Sequence, residues 1–117
     1  MRELTIYISG AISNLPYEEV LKKFNTMEDY LRAIGVKNIV NPVKLGLLPT
    51  DAWEYCMQIC LKAMEKCNAI ILLSDWKDSR GARLEFRNAV RLGMNIYYQL
   101  YNDTLKLETE IKNNLWK

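Results

Sequence analysis

The chain contains no histidine. That absence removes Ser–His and Cys–His nucleophile mechanisms and leaves any acid–base chemistry to carboxylates, tyrosine, lysine or cysteine. It also deprives a zinc site of ligands, and the three cysteines, Cys56, Cys60 and Cys67, form no C-x-x-C pair to compensate. Their spacings of four and seven place them along one helical stripe beside Ile59 and Ala63, the pattern of buried, reduced thiols. No metal and no cofactor is expected.

Long apolar runs are missing too. No stretch approaches the ~20 residues that span a bilayer. The apolar core of "MRELTIYISG" is too short to read as a signal peptide, so the expectation is a cytoplasmic protein with no membrane partner. Neither G-x-G-x-x-G nor G-x-x-x-x-G-K-[ST] occurs, which leaves dinucleotide redox and P-loop chemistry unsupported. Sixteen basic and fourteen acidic residues are interspersed, and no polybasic run argues for a nucleic-acid polymer. There is no internal repeat, low-complexity tract or linker.

What remains is ordinary globular material. Half of the 117 residues are apolar, enough to bury a core without disulfides, and the length suits one domain over residues 1–117. "LTIYIS" (4–9) reads as a buried strand ended by glycine. Residues 16–35 carry Val20, Leu21, Phe24, Met27, Leu31 and Ile34 at helical spacing, with Pro16 suited to the first turn and Gly35 to the C-cap. "KNIVNP" (37–42) reads as a second strand stopped by Pro42. Thr50 or Asp51 is the expected N-cap of a helix running to about Lys66.

"AIILLS" (69–74), the most hydrophobic stretch, fits a central parallel strand covered on both faces. A helix from Gly81 to Gly93 follows, then a strand over 94–100 and a helical tail over 104–117. This strict alternation predicts a three-layer, flavodoxin-like (Rossmannoid) α/β domain with a parallel sheet of four to five strands.

In such sheets ligands bind beyond the carboxyl ends of the strands, near the switch in strand order. The positions to inspect are therefore Ser9, Gly10 and Ala11 after the first strand, Asn41 and Pro42 after the second, Ser74 to Gly81 after the third, and Gln99 onward after the fourth. The first loop is either an ordinary βα turn or a set of polar groups for a ligand. Ser79 or Asp78 caps the third helix, and Gly81 in its first turn allows close approach to the backbone, so an anion fits there. Glu85 falls at the edge of the buried face, beside Ala82 and Ala89. Spacing alone favours a surface glutamate complementing the helix dipole over a pocket carboxylate. Asp75, Trp76 and Asp78 read as loop residues.

The runs "TIYISGAISN", "NIVNP" and "CNAIILLSDWKDSRGARLEFRNAVRLGMNIYY" resemble the nucleoside 2-deoxyribosyltransferase-like superfamily, and within it the small DUF4406-type proteins. The resemblance covers residues 4 to 98 and is most specific in W-x-x-S-x-G-A-x-x-E-x-x-x-A-x-x-L-G, from Trp76 to Gly93. It implies enzymes that cleave or exchange the N-glycosidic bond of a deoxynucleoside or its 5′-monophosphate. A glutamate in the position of Glu85 attacks the anomeric carbon in those enzymes and carries the sugar covalently, and Tyr7 matches the tyrosine that orients it. Ser79 matches a phosphate-binding serine of the monophosphate hydrolases, which favours a hydrolase over a transferase. Ser9, Gly10, Asn14, Asn41, Asp75, Trp76 and Gly81 complete the expected substrate-binding set.

Two positions depart from the pattern. Cys60 stands where the superfamily carries an aspartate on the second helix, and Asn68 replaces the aspartate of a Cys-Asp pair. These departures make a nucleotide-binding, non-catalytic protein of the same fold the alternative. Relatives complete their sites from a neighbouring subunit, so a homodimer or higher homo-oligomer is expected, with Tyr55, Tyr98 and Trp116 as candidate exposed aromatics.

Overall fold

A computed structural model describes residues 3–116. β1 (Thr5–Ser9) leads into α1 (Tyr17–Ala33), β2 (Asn38–Val40), α2 (Trp53–Met64), β3 (Ala69–Leu72), α3 (Arg80–Leu92), β4 (Asn95–Tyr98) and α4 (Asp103–Lys112). Single 3-10 turns sit at Pro42–Lys44, Trp76–Asp78 and Gln99–Tyr101. Met1, Arg2 and Lys117 lie outside the described residues, and with them the first residues of the leader reading and the last of the predicted tail helix.

All four strands are parallel, in the order β2-β1-β3-β4. The chain runs from β1 outward to β2 and then returns past β1 to β3, so the direction switches between β1 and β3. The fold is a three-layer, flavodoxin-like α/β sandwich. Alternation along β1 explains the layers. Ile6 and Ile8 face Phe24 and Leu31 of α1 and Leu107 of α4. Tyr7, with Ile70 and Leu72 of β3, faces Met64 of α2 and Ala82 and Ala89 of α3. Ile6, Ile8, Phe24, Leu31, Ile70, Ile71 and Leu72 are fully buried, and burying a side chain of this size contributes about 1.5–3 kcal/mol.

Two helices end where glycine predicts. Val36 N–H reaches Leu31 C=O and Met94 N–H reaches Ala89 C=O, with Gly35 and Gly93 in the left-handed region that closes such ends. Pro42 ends β2 by opening a 3-10 turn, capped by the Asn41 side chain.

Several boundaries differ from expectation. α2 begins at Trp53 behind Ala52, which offers no side-chain cap; Asp51 instead accepts from Leu48 N–H at 2.7 Å and shapes the preceding loop. The helix stops at Met64, so Cys67 lies beyond it in the turn before β3. α4 stops at Lys112 because Asn114 takes the left-handed conformation and Leu115 N–H returns to Glu110 C=O. Asn68 clips the start of the sheet: it accepts from Thr5 N–H at 2.9 Å and donates to Glu3 C=O at 2.8 Å. An aspartate here cannot donate that second bond. Among the described residues, no helix is long and apolar enough to cross a membrane.

Candidate active site

The switch between β1 and β3 opens into a cavity of about 600 Å³. Small-molecule sites occupy roughly 300–1,000 Å³. Its walls come from the β1–α1 loop, the loop between residues 45 and 51, the first turns of α2 and the N-terminal half of α3. Glu85 stands in the wall, one turn into α3, and is only 6 % exposed.

The carboxylate is held from β1. Tyr7 and Ser9 are two residues apart and therefore share the sheet face that α3 covers. Tyr7 donates its hydroxyl to Glu85 Oε2 at 2.6 Å, and Ser9 donates to Oε1 at 2.7 Å. Each oxygen thus has one neutral donor and keeps acceptor capacity for a ligand. Burial pushes the Glu85 carboxyl up to about 7, against the hydrogen bonds from Tyr7 and Ser9 and the neighbouring Cys60 thiol, which favour its ionised form. Burial, followed by the charge of Glu85 and the thiol of Cys60, raises the Tyr7 phenol well above its ordinary value. Tyr7 is therefore a fixed donor and not a base.

Cys60, on α2, completes this corner. Burial and then the Glu85 charge push its thiol up to about 12, so it is neutral beside the carboxylate. Cys56 and Met57 line the same wall, one turn before it. All three cysteines are free thiols, Cys60 buried and the others half-buried.

Residues 4–98, the span that contains Tyr7, Ser9 and Glu85, match the family DUF4406, described as a domain of unknown function. The chain belongs to the DUF4406 family. No curated protein matches it.

The DUF4406 chain gathers part of the predicted set around Glu85. Tyr7 and Ser9 touch the carboxylate, and Gly10, Asn14, Ser79 and Gly81 line the cavity. Ser79, not Asp78, caps α3: its hydroxyl accepts from Ala82 N–H at 3.1 Å. The two glycines serve packing. A Cβ on Gly10 meets Leu73 at 2.7 Å, and one on Gly81 meets Met57 Sδ at 3.2 Å, so Gly81 is where α2 approaches α3 closely. Asn14 has φ of 65°, a conformation asparagine tolerates, and turns the loop beside the cavity.

Three predicted residues lie elsewhere. Asn41 is buried, donating to Glu28 Oε1 and Asn25 Oδ1 at 3.0 Å and accepting from Val43 N–H. Asp75 pairs with Lys23 at 2.6 Å and accepts from Ala11 N–H, bracing the β1–α1 loop against the exit of β3. Trp76 packs against Phe86 at 4.9 Å between ring centroids. None of the three lines the cavity.

The sequence reading missed Trp53 and Arg83 at the mouth, and Leu47, Leu48 and Pro49 in the covering loop, and took in Arg80 only as part of the stretch from Ser74 to Gly81. The helical spacing of Trp53, Met57 and Cys60 was their legible signal. Of the aromatics expected on the surface, Tyr55 is exposed; Tyr98 packs on Trp76, and Trp116 on the α1–α4 core. Among the described residues, no three Cys, Asp or Glu side chains converge as metal ligands do.

Proposed function

We propose that the chain cleaves the N-glycosidic bond of a deoxynucleotide or deoxynucleoside through a covalent glycosyl–Glu85 intermediate. The observation that carries this reading is one buried carboxylate, fixed at both oxygens by neutral hydroxyls, in the wall of a nucleoside-sized cavity. The resemblance to the nucleoside 2-deoxyribosyltransferase-like superfamily supplies the reaction class.

A free lone pair of the Glu85 carboxylate attacks the anomeric carbon. The carbon–nitrogen bond breaks with its electron pair going to the base, which takes a proton from solvent, and an ester to Glu85 forms. Water then attacks the same carbon, the ester carbon–oxygen bond breaks, and the free sugar leaves while the water proton goes to solvent. The carboxylate is regenerated. A second base replaces water in the transferase variant. The low-dielectric wall strengthens attraction between the carboxylate and the cationic sugar of the transition state.

Ser79 and the N-terminal amides of α3 suit a 5′-phosphate, which favours hydrolysis of a nucleotide over base exchange between nucleosides. The second reading, a nucleotide-binding protein without turnover, is favoured by Cys60: a neutral thiol stands where a second carboxyl group would assist the leaving base. Incubation with deoxynucleosides and deoxynucleotides, followed by chromatography of free bases, separates the two. The expected result is base release that Glu85→Ala lowers at least ~1,000-fold, the scale of losing a covalent nucleophile. Undiminished release by that variant overturns the nucleophile assignment, and no release from any substrate leaves the binding reading.

A further inference from the structure

α3 carries a stripe of arginines that the site described so far does not use. Arg80, Arg83 and Arg87 recur at spacings of three and four and so share one face. A second hollow of about 240 Å³ is lined by Trp53, Arg80, Arg83, Leu84 and Arg87. Its first three residues also line the main cavity, so the two spaces adjoin at Trp53 and the start of α3.

The charge here is unbalanced. Among the described residues, none of these three arginines has a carboxylate partner within ion-pair distance. The first turn of α3 holds no acidic residue, and Arg80 and Arg83 add cations to the positive end of the helix. Each such placement is unfavourable against the helix dipole. Two of the guanidinium groups are nevertheless positioned. Arg80 stacks over the Trp53 ring at 3.9 Å, and Arg83 donates to Lys77 C=O at 2.6 Å.

An anion would offset this cost. A single phosphate at Ser79 does not reach Arg87, eight residues on and roughly 12 Å along the helix. We infer that the ligand carries a phosphate chain, a nucleoside di- or triphosphate, whose nucleoside occupies the main cavity and whose outer phosphates lie along Arg83 and Arg87. The guanidinium fork matches phosphate oxygens two at a time, and charge-assisted bonds of this kind are the strong ones. The inference deepens the N-glycosidic reading by naming its substrate class, and its nucleoside end rests on that reading.

Calorimetric titration of the full-length Glu85→Gln protein, which stops turnover, tests it. The probes are deoxynucleoside mono-, di- and triphosphates and a short single-stranded DNA, in one magnesium-free buffer at low and high salt. Affinity is expected to rise at least ~10-fold from mono- to triphosphate, with steeper salt dependence for the longer chain. The additional changes Arg83→Gln and Arg87→Gln should bring the triphosphate-to-monophosphate ratio to within about twofold of unity, by loss of those charge-assisted bonds. Equal affinity for mono- and triphosphate, or a ratio that survives both arginine changes, overturns the inference. So does DNA binding tighter than triphosphate and lost on the same changes, which would make the stripe a nucleic-acid surface. Base release by the unmodified protein is scored separately: triphosphate preference without release removes only the glycosidic reading, and release without that preference removes only this one.

Discussion

Glu28 and Glu85 are the same residue type and equally covered, 5 % and 6 % exposed. Yet Glu28 lies shallow beside half-exposed cations and Glu85 deep in the fold, and their surroundings drive them in opposite directions. Around Glu28 the donors are Asn41 and two cations, Lys44 at 3.0 Å and Arg32 at 2.9 Å. Burial alone would raise its carboxyl, but the bonds from Asn41, Lys44 and Arg32 outweigh that and leave it below its ordinary value. Around Glu85 the donors are hydroxyls, burial prevails, and the carboxyl rises to about 7. Glu28 ties α1 to the end of β2 and does not line the cavity that Glu85 faces. Burial therefore identifies neither a structural nor a reactive carboxylate; the charge of its donors and the space before it do.

Stability measurements should split the pair most clearly. A raised carboxyl costs stability above its folded value, and the cost fades as pH falls toward the unfolded value near 4.5. Glu85→Gln should accordingly stabilise the protein in urea denaturation at pH 8, by on the order of 3 kcal/mol, and by little at pH 4. Glu28→Gln should act with the opposite sign. A lowered carboxyl contributes stability above its unfolded value and loses it as pH falls through the folded one. Its loss at pH 7 should be only about 1–2 kcal/mol, because Arg32 and Lys44 are half exposed and screened by water. Equal signs for the two variants would break the comparison.

The smallest effect sharpens the role of the hydroxyls. A carboxylate nucleophile must be ionised, so kcat/KM should rise with pH and level off above about 7. Tyr7→Phe removes a donor that favours the ionised form and should move that limb upward by about one pH unit, the worth of one hydrogen bond to a charge. A lower rate with an unmoved limb would mean that Tyr7 only packs.

The two glutamates also mark what the sequence made legible. The alternation of apolar runs exposed the layer order, and Gly35 and Gly93 exposed two helix ends, because these signals are local. Asn114 does the work of a glycine without being one, and Asp51 serves its loop instead of α2, so both boundaries moved. Spacing placed Glu85 only at the edge of the buried face, since its depth depends on Tyr7 and Ser9, which β1 supplies across the sheet. Asp75 and Asn41 stood at the correct strand ends, yet Lys23 and Glu28 claim their side chains. The arginines were hidden differently. Along the chain they are interspersed with apolar residues and Glu85, and only the helical period brings Arg80, Arg83 and Arg87 onto one ridge.

The bonds from Tyr7 and Ser9 to Glu85 join residues 78 and 76 positions apart. Synthesis delivers the chain from its first residue onward, whereas a domain folds as a unit. The growing chain carries the residues of β1 and α1 long before α3 exists to meet them, and until then Tyr7 and Ser9 have no carboxylate to hold. Glu85, in turn, titrates as an ordinary solvated acid in any state that has lost β1. The raised carboxyl is thus a property of the closed fold, created where α3 meets β1 across the sheet. Its titration near neutrality would serve as a built-in gauge of how much of a sample is natively assembled.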